Sequence, residues 1–124
     1  MRTPHGRFPE YHTSADNLDF VKPEFLADSF RKYLLTIAVL EGNKKYVNRN
    51  PKCEPQLGKR GLYGGLGGLK IIKNEQIAML WVLNLSDGHH TLLDIADRSG
   101  LEFGLIRNVA ELLIERNLLE EYGG

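Results

Sequence analysis

The residue types able to hold a metal are few and lie far apart in this chain. His12 sits in Tyr11-His12-Thr13-Ser14-Ala15-Asp16, a polar segment whose imidazole has the donor chemistry of a zinc ligand. A catalytic zinc takes three protein ligands and a water, and a structural zinc takes four. The other histidines are His5, His89 and His90, and Cys53 is the only cysteine. His89 and His90 are adjacent in a predicted turn after Asp87-Gly88, which keeps them from converging on one ion. A metal site built on His12 from this chain alone is therefore incomplete, and no side chain is assigned as catalytic. Asp16 reads as a turn cap that could also orient the loop, and Cys53 as a packed or idle thiol.

The elements that must carry these residues can be read from spacing. Pro4, Gly6 and Pro9 make residues 1–22 a loop. Pro23 suits the first turn of a helix. Leu26, Phe30, Tyr33, Leu34, Ile37 and Leu40 follow at helical steps, and Gly42-Asn43 is expected to cap its end. This helix has a wide apolar face and nothing nearby in sequence to cover it. Across residues 44–73, Tyr46-Val47 and Leu69 to Ile72 read as short strands. From Asn74, a predicted N-cap, a helix carries Ile77, Leu80, Trp81 and Leu85, with Leu80 and Trp81 expected in the core. Thr91 and Asp94 form a capping-box pair for a second helix, which Ser99-Gly100 ends. A third helix runs from about Glu102 to Asn117, and Leu118 to Tyr122 closes as a strand. The expected result is a helix-turn-helix with a rudimentary wing.

The zero net charge conceals an asymmetry. Residues 1–73 hold 13 Lys and Arg against 7 Asp and Glu, a balance of +6, whereas residues 74–124 hold 3 against 9, a balance of −6. A duplex binder needs cations to neutralise phosphates. The third helix carries Glu102, Arg107, Glu111, Glu115 and Arg116, so nucleic acid is disfavoured as a partner. Packing or protein contact fits the acidic segment better. The stretch from Lys59 to Gly68 is basic and glycine-rich but lacks the Lys and Ser/Thr that follow the last glycine of a phosphate loop. It could bind an anionic or sugar-bearing substrate near a metal, or serve as a connector docked on the acidic tail, and the charge split favours the connector. No apolar run reaches the roughly 18 residues that cross a bilayer. With one cysteine and no signal-peptide pattern, a reducing cytoplasm is the default expectation.

Tyr11-His12-Thr13-Ser14, followed by Asp16-Asn17-Leu18 and a long amphipathic helix, resembles the C-terminal motif of co-catalytic zinc aminopeptidases. In that family the histidine ends a loop after a sheet strand and binds one of two zincs, and the next helix packs back on the sheet. Three stretches are similar to a bacterial aminopeptidase-like family associated with polysaccharide biosynthesis. They are Arg2 to Leu18, Asn50-Pro51-Lys52-Cys53-Glu54-Pro55 through Tyr63, and Leu83 to Gly88 with Leu92-Leu93-Asp94-Ile95-Ala96. Its members place a small winged helix-turn-helix after the aminopeptidase-like domain. The resemblance implies that the remaining zinc ligands and the catalytic carboxylate lie upstream of the position matching His12. Only His12 carries over, as a metal ligand.

The expected fold is mainly α with short β. It comprises the terminal loop and helix of an α/β zinc-peptidase domain (residues 1–43), a basic connector (44–73) and a winged helix-turn-helix (74–124). The expected function is that of the C-terminal fragment of a zinc-dependent aminopeptidase-like hydrolase, inactive in isolation. In the complete protein its partners would be a peptide-like or amino-acyl substrate and the rest of the peptidase domain. The 23–41 helix would pack on the winged helix, dimerise or stay partly exposed. The alternatives are a stand-alone winged-helix regulator that binds nucleic acid and a protein-interaction module.

Overall fold

The computed structural model describes residues 3–4, 6–53, 55–60, 62 and 69–123, with 69–73 described by backbone alone. The chain divides into two units, residues 1–40 and 41–124.

In the first unit a loop leads into helix α1 (Pro23–Gly42), whose last two residues belong to the second unit. The helix begins at Pro23 as expected, because proline has no N–H to leave unpaired there. The Lys22 carbonyl accepts from the Phe25 and Leu26 N–H groups, and Lys32 pairs with Asp28 one turn back at 2.8 Å. No residue of α1 is buried: Phe30 is 63% exposed and Leu40 69%.

The second unit is built from β1 (Lys45–Asn48), a short 3-10 turn (Gly58–Arg60), α2 (Leu69–Leu85), β2 (Asp87–Thr91), α3 (Leu92–Ser99), α4 (Phe103–Glu115) and β3 (Leu119–Glu121). The sheet is antiparallel in the order β2-β1-β3, so β1 is its middle strand. Tyr46 opposes Glu121, and Asn48 opposes Leu119. Leu92, Ile95, Ile106, Leu113 and Leu118 are among the largest fully buried side chains of a core that includes Tyr46 and to which α2 adds Ala78, Met79 and Val82. Leu57 and Leu62, from the stretch read as connector, are also buried in it.

Local chemistry fixes these helices. The capping box is present: the Asp94 N–H donates to Thr91 Oγ1 at 3.2 Å, and the Thr91 N–H donates to Asp94 Oδ2 at 2.7 Å. Gly100 ends α3 with φ 68°. At the end of α4, Asn117 takes φ 55°, its N–H reaches the Ile114 carbonyl, and the Leu118 N–H reaches that of Leu113. That pair of bonds is a Schellman cap with asparagine at the left-handed position.

Five expectations are corrected. Leu69 to Ile72 begin α2 rather than forming a strand, so Asn74 lies inside the helix and caps nothing. A short apolar run cannot by itself tell a strand from a helix. His89 and His90 lie on β2, not in a turn, because that stretch pairs with β1, Thr91 opposite Lys45 and Asp87 opposite Val47. Gly42-Asn43 ends α1 without a left-handed cap: Asn43 Oδ1 instead accepts the Leu93 N–H at the start of α3. A β-carbon on Gly42 would lie 2.9 Å from Arg107 Cδ, so glycine there permits a close approach. Leu80 is 51% exposed and Trp81 only packs against the core's edge, because Ala78, Met79 and Val82 occupy the inward face of α2. Cys53 is exposed rather than packed.

Candidate functional site

The His12 segment is held by consecutive turns. The Tyr11 N–H donates to the Phe8 carbonyl, and the Thr13 N–H and Oγ1 both donate to that of Glu10, at 3.1 and 2.8 Å. The Asp16 N–H reaches the Thr13 carbonyl. The cap is supplied by Asn17, not by Asp16: Asn17 Oδ1 accepts from the Asp19 and Phe20 N–H groups, and its Nδ2 donates to Ser14. An aromatic cluster braces the loop. Phe8 stacks on Phe20 at 5.7 Å and meets Tyr11 edge-on at 5.5 Å. The Tyr11 ring lies 4.1 Å from the His12 imidazole. His12 itself is exposed and holds a left-handed backbone, φ 58°. Asn17 was legible as a turn residue, whereas pairing Phe8 with Phe20 required the three-dimensional path of the loop.

His12 suits zinc as a single neutral nitrogen donor. Among the described residues no group of three or more His, Cys, Asp and Glu side chains is placed to hold a metal. The described residues therefore do not by themselves fit a zinc centre, and no catalytic step is derived through one. His5 and the glycine-rich stretch Tyr63 to Gly68 lie outside the described residues. His90 is committed elsewhere, with Nδ1 2.9 Å from Asp87 Oδ2, and His89 is exposed on β2. The N–H groups of His89 and His90, with a smaller contribution from the His90 ring, hold the Asp87 carboxyl well below the usual carboxylate range.

The basic stretch does meet the acidic tail inside the second unit. Lys44 Nζ is 2.8 Å from Glu121, which raises the lysine's pKa chiefly through that hydrogen bond, and Arg49 lies 3.9 Å from Glu120. Arg60 and Arg116 each donate to the other's carbonyl, at 3.1 and 2.9 Å. Within α4, Arg107 pairs with Glu111 at 3.4 Å, while Glu102, Glu111 and Glu115 face solvent. The helix that would enter a DNA groove thus presents carboxylates. Among the described residues, no helix is long and apolar enough to cross a membrane.

A family model described as a domain of unknown function, DUF4910, matches residues 1–43. The chain is 51% identical over 120 residues to a Clostridium acetobutylicum protein whose name assigns it to polysaccharide biosynthesis with an aminopeptidase-like domain. That match covers 97% of this chain and 27% of the relative. A crystal structure from the same organism, described as that of a peptidase, is similar at 48% identity with a TM-score of 0.79. It covers 92% of this chain and 24% of that one. The chain thus spans about a quarter of the length of the proteins it matches. Its mainly helical architecture, with three helices of the second unit against a small antiparallel sheet, is the one read from the sequence. A family model described as winged helix-turn-helix matches residues 44–121, and the chain belongs to that family.

Proposed function

We propose that these residues serve as the C-terminal quarter of a zinc-dependent aminopeptidase-like hydrolase, with His12 contributing one metal ligand. The observation that carries this reading is the match of nearly the whole chain to a quarter of a protein named for an aminopeptidase-like domain. The exposed imidazole of His12, on a braced loop just before α1, supports it. The other ligands and the catalytic carboxylate would come from the remaining three quarters of such a protein, and that same body would cover the apolar face of α1. The substrate would be amino-acyl or peptide-like, and the compartment a reducing cytoplasm, which suits the one exposed thiol. The winged helix-turn-helix would serve packing or protein contact, because its α4 surface is acidic.

The test is a hybrid in which these residues replace the matching 120 of the Clostridium relative. The hybrid is expected to retain zinc and hydrolyse an amino-acyl amide, and His12→Ala is expected to lower both metal content and turnover. The 124-residue chain alone is expected to hold no equimolar zinc and to turn nothing over. Full zinc content in the His12→Ala hybrid, or hydrolysis by the isolated chain, overturns the proposal.

A further inference from the structure

A cavity of about 580 Å³ opens on the second unit between the end of α2, the start of β2 and the segment after β1. None of its lining residues belongs to the His12 loop. Its size lies within the roughly 300–1,000 Å³ of small-molecule sites.

The polar part of its lining comes from Asn48, Asn50, Asn84, Ser86 and Asp87. Asn48 ties the walls together, its Nδ2 donating to the Leu83 carbonyl and its Oδ1 accepting the Asn50 N–H, both at 2.9 Å. The Asn50 and Asn84 carboxamides are exposed and make no side-chain hydrogen bond among the described residues. Ser86 is only 3% exposed, yet its Oγ has no partner among the described residues. A buried hydroxyl left unsatisfied is uncommon and costly; the Ser86 oxygen is closed off behind the cavity wall, so the groups that a ligand meets directly are the carboxamides and Asp87. Pro51, Pro55 and Leu83 give the lining its apolar part, and half-exposed Leu80 stands at the rim. An adjoining hollow of about 340 Å³ shares Leu80 and Asn84 and adds Trp81.

These groups select a ligand chemistry. Among the described residues no Lys, Arg or His lines the cavity itself, whose one charged group is Asp87, so an anion seated there would face a carboxylate; Lys59 and Arg60 line an adjoining hollow that shares Asn50 and Pro55. A wholly apolar ligand would strand the carboxamides. A ring carrying several hydroxyls on its edge and C–H groups on its face fits both parts. The Asp87 carboxylate accepts O–H donors, and the carboxamides both donate and accept. Pro51, Pro55 and Leu80 would meet the C–H face, and Trp81 belongs to the adjoining hollow. We propose that this cavity binds a neutral sugar, a mono- or disaccharide.

Cys53 lines the same cavity, is exposed and is the only cysteine, so its alkylation rate reports occupancy. The full chain would be titrated with glucose, N-acetylglucosamine and maltose, following backbone and carboxamide NMR shifts together with iodoacetamide labelling of Cys53. Inorganic phosphate and a short neutral peptide amide are the controls. At least one sugar is expected to shift the resonances of Asn50, Asn84 and Ser86 saturably and to slow labelling. Asn50→Ala and Asn84→Ala, at exposed positions where the fold should persist, are each expected to weaken binding roughly five- to tenfold. No saturable shift with any of the sugars overturns the proposal. So does preferential binding of phosphate or peptide, or sugar binding that both alanine variants leave unchanged. None of these outcomes bears on the metal-ligand reading of His12.

Discussion

Among the described residues, three other than glycine, His12, Cys53 and Asn117, hold a left-handed backbone, and only that of Asn117 is accounted for by local structure. Asn117 terminates α4, where the reversed φ lets two N–H groups reach orphan carbonyls. Asn117→Gly, which removes the β-carbon, should therefore hold or raise stability, while Asn117→Ala should cost about 1 kcal/mol, because alanine keeps the β-carbon and loses the polar side chain that lets asparagine tolerate this conformation. Urea unfolding of both variants checks this, and equal midpoints for the two would contradict it. Asp87 gives a second prediction at this scale. Its folded pKa lies below the unfolded value of about 3.9, so its stabilising effect is complete above that value. The effect is lost as pH falls through the carboxyl's depressed range, because the protonated acid accepts the His89 and His90 N–H groups more weakly. Asn at position 87 cannot titrate, so Asp87→Asn should flatten the acid limb of a stability–pH curve. Asp94, lowered by the Thr91 N–H, keeps a remnant of the slope, which the double variant with Asp94→Asn should remove. An unchanged acid limb in Asp87→Asn would refute the assignment.

Among the elements, α3 is the one most dependent on its own sequence. It has eight residues, too few for a stable isolated helix, and its start rests on the Thr91–Asp94 box. Thr91→Ala is expected to cost about 1 kcal/mol, within the usual 0.5–2, while Thr91→Ser should restore most of it. Thermal melts of the two variants provide the check. The same box shows why parts of the fold were legible. Thr91 with Asp94, Pro23 opening α1, and Gly100 closing α3 act through neighbours a few residues away, so spacing reveals them. The start of α2 was misread because Leu69-Lys70-Ile71-Ile72 is apolar without a clear period, and Asn74 looks like a cap wherever it stands. The misplacement of His89 and His90 has a long-range cause. Their strand exists because β1, some 40 residues earlier, lies alongside it, and no local signal reports that pairing. In the His12 loop, the ligand type and the Asn17 turn could be read directly, but not the Phe8–Phe20 stack that braces them.

The chain as a whole combines one well-buried unit with one that leaves a large apolar face in water. In the second unit, Ile106 and Leu113 are fully buried, so truncating either to alanine should cost about 2–5 kcal/mol and shift the whole unit's unfolding. Among its described residues the first unit has no such buried interior to lose. Along α1, Phe30, Tyr33, Leu34, Ile37 and Leu40 are all at least half exposed, a larger contiguous apolar surface than an isolated unit ordinarily tolerates. Binding to another body gains free energy by removing that area from water. Where no other protein covers that face, the available body is another copy of α1. The isolated chain should therefore associate as its concentration rises, and sedimentation velocity should show a mass above 14.1 kDa. Phe30→Lys combined with Leu34→Glu places charges on that face and should return the chain to monomer. Because neither residue lies in the second unit's core, the melting of that unit should stay where it is. A wild-type chain that remains monomeric at high concentration would show that α1 does not need a partner to cover it. Association that persists unchanged in the double variant would place the contact elsewhere.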